Sequence, residues 1–180
     1  MEDKRLIRQC QRGRREALRR IYDKYHVDLL KLATVLTGEV HTAEDVVHDV
    51  FVHFAAAAPR LAVRGNLKGY LVTSTVNRVR NYRRDRQRHG AQGLDEAVGA
   101  AAPEGPPEQW AVLSEQLEHL RLALAQLPYE QREVVTLHLQ AGLTFRAIAR
   151  CQDTSVGTVQ SRYRYGIDKL RSLLNGELSP

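Results

Sequence analysis

Between positions 60 and 88 the chain sets nine basic side chains, Arg60, Arg64, Lys68, Arg78, Arg80, Arg83, Arg84, Arg86 and Arg88, against a single acid, Asp85. Guanidinium groups grip phosphate as a bidentate fork and stack on bases, and Tyr70 and Tyr82 lie among them. Interleaved cations and aromatics make a surface for single-stranded nucleic acid, where a stacked base contributes about 1–3 kcal/mol. Each tyrosine taken alone is better explained by a place in a core. A second group, Thr158, Gln160, Ser161, Arg162 and Arg164, brings hydroxyls, an amide and guanidinia to the first turns of one helical stretch. These groups reach base edges and phosphates when a helix enters a major groove; the plain alternative is a solvated amphipathic face. A third group, Asp45, His48, Asp49 and His53, has the spacing of one helix face and the donors to hold a metal. Surface helices mix such residues freely, and a protein-binding face is the better use for this one. There is no nucleophile motif and no glycine-rich phosphate loop. The chain is therefore expected to be no enzyme and to need no metal or cofactor.

These groups need helices to hold them, and the apolar spacing supplies them. Leu6, Ile7 and Cys10 predict a short helix ending near Gly13. Leu18, Ile21, Tyr22, Tyr25, Leu29, Leu32, Ala33 and Leu36 predict a longer one closed by Gly38. Thr42 is a suitable N-cap for the next, with Asp45 three residues on. Val46, Val47, Val50, Phe51 and Phe54 form its buried face, and Pro59 ends it. After a basic loop over 60–66, Leu71, Val72, Val76 and Val79 mark the core side of a helix from Leu67 to about Arg88.

Residues 89–109 break the helical pattern with proline, glycine, alanine and acidic side chains, and predict a flexible linker. Beyond it a helix is expected from Trp110 to Leu127. LPYEQREVVTLHLQAG then forms a helix closed by Gly142, TFRAIARC a short helix capped by Thr144, and QDTS a turn. The final helix is capped by Ser155 and predicted to bury Val156, Val159, Tyr163, Ile167, Leu170 and Leu174. Two helices joined by a tight turn, with a supporting helix before them, describe a helix-turn-helix. The expected architecture is two small all-α domains, 1–88 and 110–180, the second a helix-turn-helix, joined by the linker 89–109.

Composition agrees with this organisation. The chain has 180 residues, 43% hydrophobic and 27% charged, enough for one domain or two small cores. Its formal charge is +6, the pI is about 9.6, and Lys occurs at positions 4, 24, 31, 68 and 169 alone, so the basic residues are mostly Arg. Nucleic acid is the first partner that balance suggests. The two cysteines, Cys10 and Cys151, point to neither a disulfide framework nor a zinc site. No stretch has the length of a membrane span, and MEDKRLIRQCQRGRR has no apolar run like that of a signal peptide, so a cytoplasmic protein without membrane contact is expected.

The chain resembles the small sigma factors of bacterial RNA polymerase, those of the extracytoplasmic-function group, over almost its whole length. YDKYHVDLLKLATVLTG followed by TAEDVVHDVF is similar to the family's promoter-melting domain, and Asn77 falls at that domain's characteristic Asn. LPYEQREVVTLHLQAGLTFRAIA and SVGTVQSRYRYGIDKLR are similar to its helix-turn-helix domain, whose signature is here Gly157, Thr158, Val159, Ser161 and Arg162. The resemblance implies a specificity subunit that binds core polymerase, through the β′ coiled coil and β, with Asp45, His48, Asp49 and Val52 on the docking helix. It implies that Thr158, Gln160, Ser161, Arg162 and Arg164 meet the minus-thirty-five element, with Thr144 and Arg146 near phosphates. The opened minus-ten element would be held by Arg60, Arg64, Asn66, Lys68, Asn77, Arg80, Asn81 and Arg84. Because the chain ends at Pro180, control is expected from a separate protein, an anti-sigma factor. Tyr70 stands where the family often has Trp, Ser74 at a usually apolar position, and Gln152, Asp153 and Thr154 replace the usual Leu-Gly-Ile turn. Asp tolerates the left-handed conformation of such a turn, though less readily than Gly.

Two other classes compete. A helix-turn-helix repressor acting without polymerase would use residues 128–174 and leave the Asp45 helix and the arginine-rich helix without a task. A sigma mimic that titrates a regulator would have no need of the basic helix.

Overall fold

The computed structural model describes residues 2–60, 66–88 and 117–176, and every regular element among them is helical. The linker 89–109, residues 110–116 of the helix expected from Trp110, and Arg64 lie outside the described residues. The chain divides into two compact units, Met1–Glu96 and Ala97–Pro180. Among the described residues no helix is long and apolar enough to cross a membrane.

The first unit holds α1 (Glu2–Gln11), α2 (Arg15–Thr37), α3 (Val40–Ala57), a 3-10 turn (Ala58–Arg60) and α4 (Leu67–Arg88). Helix α2 is the central element, packing against the other three. Its stripe of Ile21, Tyr25, Leu29, Leu32, Ala33 and Leu36 is buried, and meets Leu6 of α1, Val47 and Phe54 of α3 and Leu71, Val76 and Val79 of α4 in one core. Gly38 adopts φ 81°, the left-handed geometry that lets the chain turn sharply into α3. Helix α1 is fastened by charge as well as by Leu6: Lys24 Nζ donates to Glu2 Oε2 at 2.9 Å and to Asp3 Oδ1 at 2.8 Å, and the Tyr25 hydroxyl donates to Asp3 Oδ2 at 2.7 Å.

The cap of α3 differs from expectation. Thr42 is buried inside the helix, which begins at Val40 with Glu39 at the N-cap position. The Glu39 carboxylate reaches forward and accepts from the Thr42 hydroxyl at 2.7 Å. Thr42, one turn inside the helix, is buried beside the fully buried Ala43, and the Glu39 side chain makes no hydrogen bond to a backbone N–H of the first turn. Tyr22, counted among the apolar positions of α2, is 40% exposed and stacks on His26 at 4.5 Å.

The second unit holds α5 (117–125), α6 (Tyr129–Leu139), α7 (Phe145–Gln152) and α8 (Val156–Leu174). Thr144 and Ser155 cap α7 and α8 as expected, their hydroxyls accepting from the backbone N–H of Ala147 and Thr158. Asp153 takes φ 49° and ψ 52° in the turn between those helices, the one left-handed non-glycine residue among those described. Val134, Val135 and Leu137 of α6, Ile148 of α7 and Val159 of α8 form the centre, while Ala123 packs with Leu170 and Leu173 beneath α5.

The buried face of α8 also differs from expectation. Val156 and Leu174 are 37% and 39% exposed, whereas Gly166 and Leu173 are buried. The seam runs Val159, Gly166, Leu170, Leu173, with α6 passing close beside the glycine. A Cβ on Gly166 would lie 2.9 Å from Val135 Cγ2.

Candidate protein and nucleic-acid interfaces

Three exposed surfaces carry the candidate residues. On α3 the valines and phenylalanines of the period fill the core, which leaves Asp45, His48 and Val52 exposed and Asp49 half-buried, all on one side of the helix. Val52 is 48% exposed, an apolar side chain among acids and imidazoles. Asp45, His48 and Asp49 also line a cavity of about 380 Å³ between α3 and α4, with Thr42, Val46, Arg78, Tyr82 and Asp85. Asp49 is paired there with Arg78, so an acid of the α3 face expected to dock on polymerase is bonded to a base of the arginine-rich α4. That cross-helix pair was not legible from either helix alone. Among the described residues no group of three or more His, Cys, Asp or Glu side chains is arranged to hold a metal ion.

On α4 the apolar residues Leu67, Leu71, Val72, Val76 and Val79 occupy the inner face, so Asn77, Arg78, Asn81 and Arg84 point outward and Arg80 lies half-buried beside them. Asn66 begins the helix by accepting from the Gly69 N–H, which makes it a cap as well as a candidate contact. Lys68 stands 3.7 Å from Asp28 of α2. Arg84 donates to Asn81 Oδ1 at 3.0 Å, presenting amide and guanidinium together. Arg60 is exposed in the 3-10 turn. Of the two tyrosines, Tyr70 packs against Phe54 at 6.1 Å, as a core-edge residue does, while the Tyr82 hydroxyl lies 3.3 Å from that of Thr42 at the exposed rim of the cavity.

On α8 the seam against α6 turns Gln160, Ser161 and Arg164 to solvent and leaves Thr158 half-buried beside the cap. Thr144 and Arg146 are exposed at the start of α7. Arg164 extends over the ring of Tyr165 at 5.1 Å. Tyr165 was not singled out from sequence, yet at 56% exposure it lies on the strip of α8 that carries Thr158 and Ser161. Its signal was its spacing, seven residues beyond Thr158 and four beyond Ser161. Arg162 departs from the others. It is half-buried on the flank facing α7 and donates to Gln152 Oε1 at 2.9 Å, while Gln152 Nε2 donates to Glu133 Oε1 at 2.9 Å.

Comparison with known proteins gives these surfaces a family. The description "Sigma-70 region 2" matches residues 21–89, spanning most of α2 together with α3 and α4, and "Sigma-70, region 4" matches 117–170, spanning α5 to most of α8. The chain is 30% identical over 148 residues to the ECF RNA polymerase sigma factor EcfG of Rhodopseudomonas palustris, covering 81% of this chain and 78% of that one. It is 30% identical over 161 residues to the ECF RNA polymerase sigma factor SigL of Mycobacterium tuberculosis, covering 87% and 88%. The fold is similar to that of the sigma factor RpoE from Bartonella quintana, solved in complex with the anti-sigma factor NepR, with a TM-score of 0.69, 24% identity and coverage of 86% and 96%. Carrying both conserved regions in order on two helical units, the chain belongs to the extracytoplasmic-function group of the sigma-70 family of RNA polymerase sigma factors.

Proposed function

We propose that this protein binds core RNA polymerase and directs it to promoters, with residues 1–88 for docking and melting, 89–109 as tether and 110–180 for the upstream element. The observation that carries this reading is the sorting of exposed chemistry by element. Acids and an apolar side chain lie on α3, arginines and amides on α4, and hydroxyls, an amide and Arg164 on α8, each opposite a buried apolar face. Asp45, His48, Asp49 and Val52 dock on the polymerase. Arg60, Arg64, Asn66, Lys68, Asn77, Arg80, Asn81 and Arg84 hold the opened minus-ten strand. Thr158, Gln160, Ser161 and Arg164 face the minus-thirty-five major groove, Thr144 and Arg146 its phosphates, and Arg162 belongs to this group through the flank it braces. Family membership supports an anti-sigma factor as a further partner.

Run-off transcription with core polymerase on fragmented genomic DNA tests the proposal. Discrete transcripts that depend on this protein are expected. Duplex binding with neither core association nor initiation would leave the repressor reading, and association with a regulator but not with core would leave the mimic.

A further inference from the structure

Glu133 is 1% exposed in the middle of the apolar face of α6. A buried carboxylate is costly unless hydrogen bonds replace its water. Gln152, at the last position of α7, supplies one of them from Nε2 at 2.9 Å. An ionised carboxylate only accepts and a guanidinium only donates, whereas an amide does both. Gln152 can therefore stand between them, and its Oε1 accepts from Arg162 at 2.9 Å. The relay joins all three helices of the helix-turn-helix: α6 through Glu133, α7 through Gln152 and α8 through Arg162.

We propose that Gln152 is a positioning residue for upstream recognition. By linking buried Glu133 to Arg162 it fixes the angle at which α8 presents Gln160, Ser161 and Arg164, and Arg162 itself serves as a brace rather than as a reader of bases. This rests on the function proposed above. It also gives a task to the glutamine that occupies the family's leucine position in the turn. A leucine at 152 would fill the space but leave the carboxylate and the guanidinium without the bridge between them.

Two measurements test it. In the free full-length protein, the side-chain amide protons of Gln152 should exchange with solvent at least tenfold more slowly than those of exposed Gln160, followed by nitrogen-15 NMR. Equal exchange would overturn the proposal without recourse to any variant. The second measurement uses the protein bound to core polymerase and a library of short duplexes of randomised sequence. Gln152→Leu and Arg162→Gln should each lower the preference for the selected duplex over the random pool about tenfold, the scale of one charged hydrogen bond. The double variant should be no worse than the poorer single, since both break one relay. Affinity for the random pool and the slope of log affinity against log salt should stay unchanged, which a general loss of structure would not allow. A phosphate contact at Arg162 would instead lower that slope by about one, and a base contact would shift preference at one base pair while Gln152→Leu behaved as wild type. Either result overturns the proposal. Should Arg162→Gln fail to fold, Gln152→Met, which keeps the length of the side chain, carries the same test. Wild-type protein that selects no sequence would overturn the functional reading as well, whereas wild-type selection unaffected by Gln152→Leu would overturn the relay alone.

Discussion

At Gln160 a single amide on an exposed turn of α8 is set against a backbone held by the Ser155 cap one turn earlier. An amide reads a base edge through paired donor and acceptor, worth about 1–3 kcal/mol of discrimination. Gln160→Ala is therefore expected to relax preference at one upstream base pair while leaving affinity for unrelated duplexes near wild type, as competition binding with single-base-pair variants will show. Caps and turns at this scale were legible in sequence, because Thr144, Ser155 and Asp153 act through their own neighbouring backbone. Glu133 and Gln152 were not. Their roles depend on which side chains three helices bring together, and REVVTLHLQAG gives no sign that its glutamate lies inside the core rather than on the surface. Arg162 is placed by the sequence with the residues expected at the upstream element, and its hydrogen bond to Gln152 of α7 is a relation that the periodicity of α8 cannot report.

For the helices, the period decided which elements exist, and packing decided how they are rotated. The expected limits of α2, α4, α7 and α8 agree closely with the structure, whereas the cap of α3 and the end residues of the α8 seam do not. At Gly166 a residue with no side chain sits in the seam against α6, which the apolar period of α8 does not mark. Gly166 gives a prediction with an unusual sign. Replacing glycine by alanine inside a helix ordinarily stabilises by about 1 kcal/mol. Here the new Cβ would sit 2.9 Å from Val135 Cγ2 and 3.3 Å from Gln131 Cβ. Overpacking of this kind costs about 1–3 kcal/mol. Gly166→Ala should therefore lower the urea midpoint of the second unit instead of raising it.

The fastening of α1 predicts a pH window. Burial opposes ionisation of Asp3, but hydrogen bonds from Lys24 and Tyr25 outweigh it and hold the carboxyl below its ordinary 3.8, and the Lys24 hydrogen bond lowers Glu2 from 4.5. A carboxyl depressed in the folded state adds stability above its unfolded value and loses it as pH falls through the folded one. Burial, with the bond to Asp3, pushes Tyr25 up from 10.0 to about 12. Its contribution is complete below the unfolded value and lost as pH rises through the folded one. Amide protection in α1 should thus be greatest between these limits and fall first in acid, and Asp3→Asn should weaken it at neutral pH and flatten the acid decline. Hydrogen exchange measured across pH checks all three.

The whole molecule joins two helical units with different exposed chemistry, and the proposed function uses them in order, with docking on core polymerase first. Asp45→Lys reverses an exposed charge whose neighbours in the core, Val46 and Val47, are untouched, so affinity for core polymerase should fall by several kcal/mol with no change in unfolding. Asp49→Lys should weaken that affinity likewise but also break the pair with Arg78, a part-exposed bridge worth at most about 1 kcal/mol, so a small loss of fold stability should accompany it.

Opening comes later, and it is assigned to the arginines and amides of α4. If Arg80, Asn81 and Arg84 hold unpaired bases, their contacts exist only after the strands separate, whereas those of α8 form on intact duplex. Replacing the three by Ala should leave the duplex-bound complex nearly intact and reduce the permanganate reactivity of downstream thymines. A promoter fragment already unpaired across the downstream element isolates the step, because melting no longer has to be driven. The variant should still bind that fragment less tightly than wild type, since the missing contacts are to the exposed strand itself. Loss of duplex binding with normal opening of whatever complex remained would instead make α4 a general electrostatic surface, and would leave strand capture to residues outside this helix.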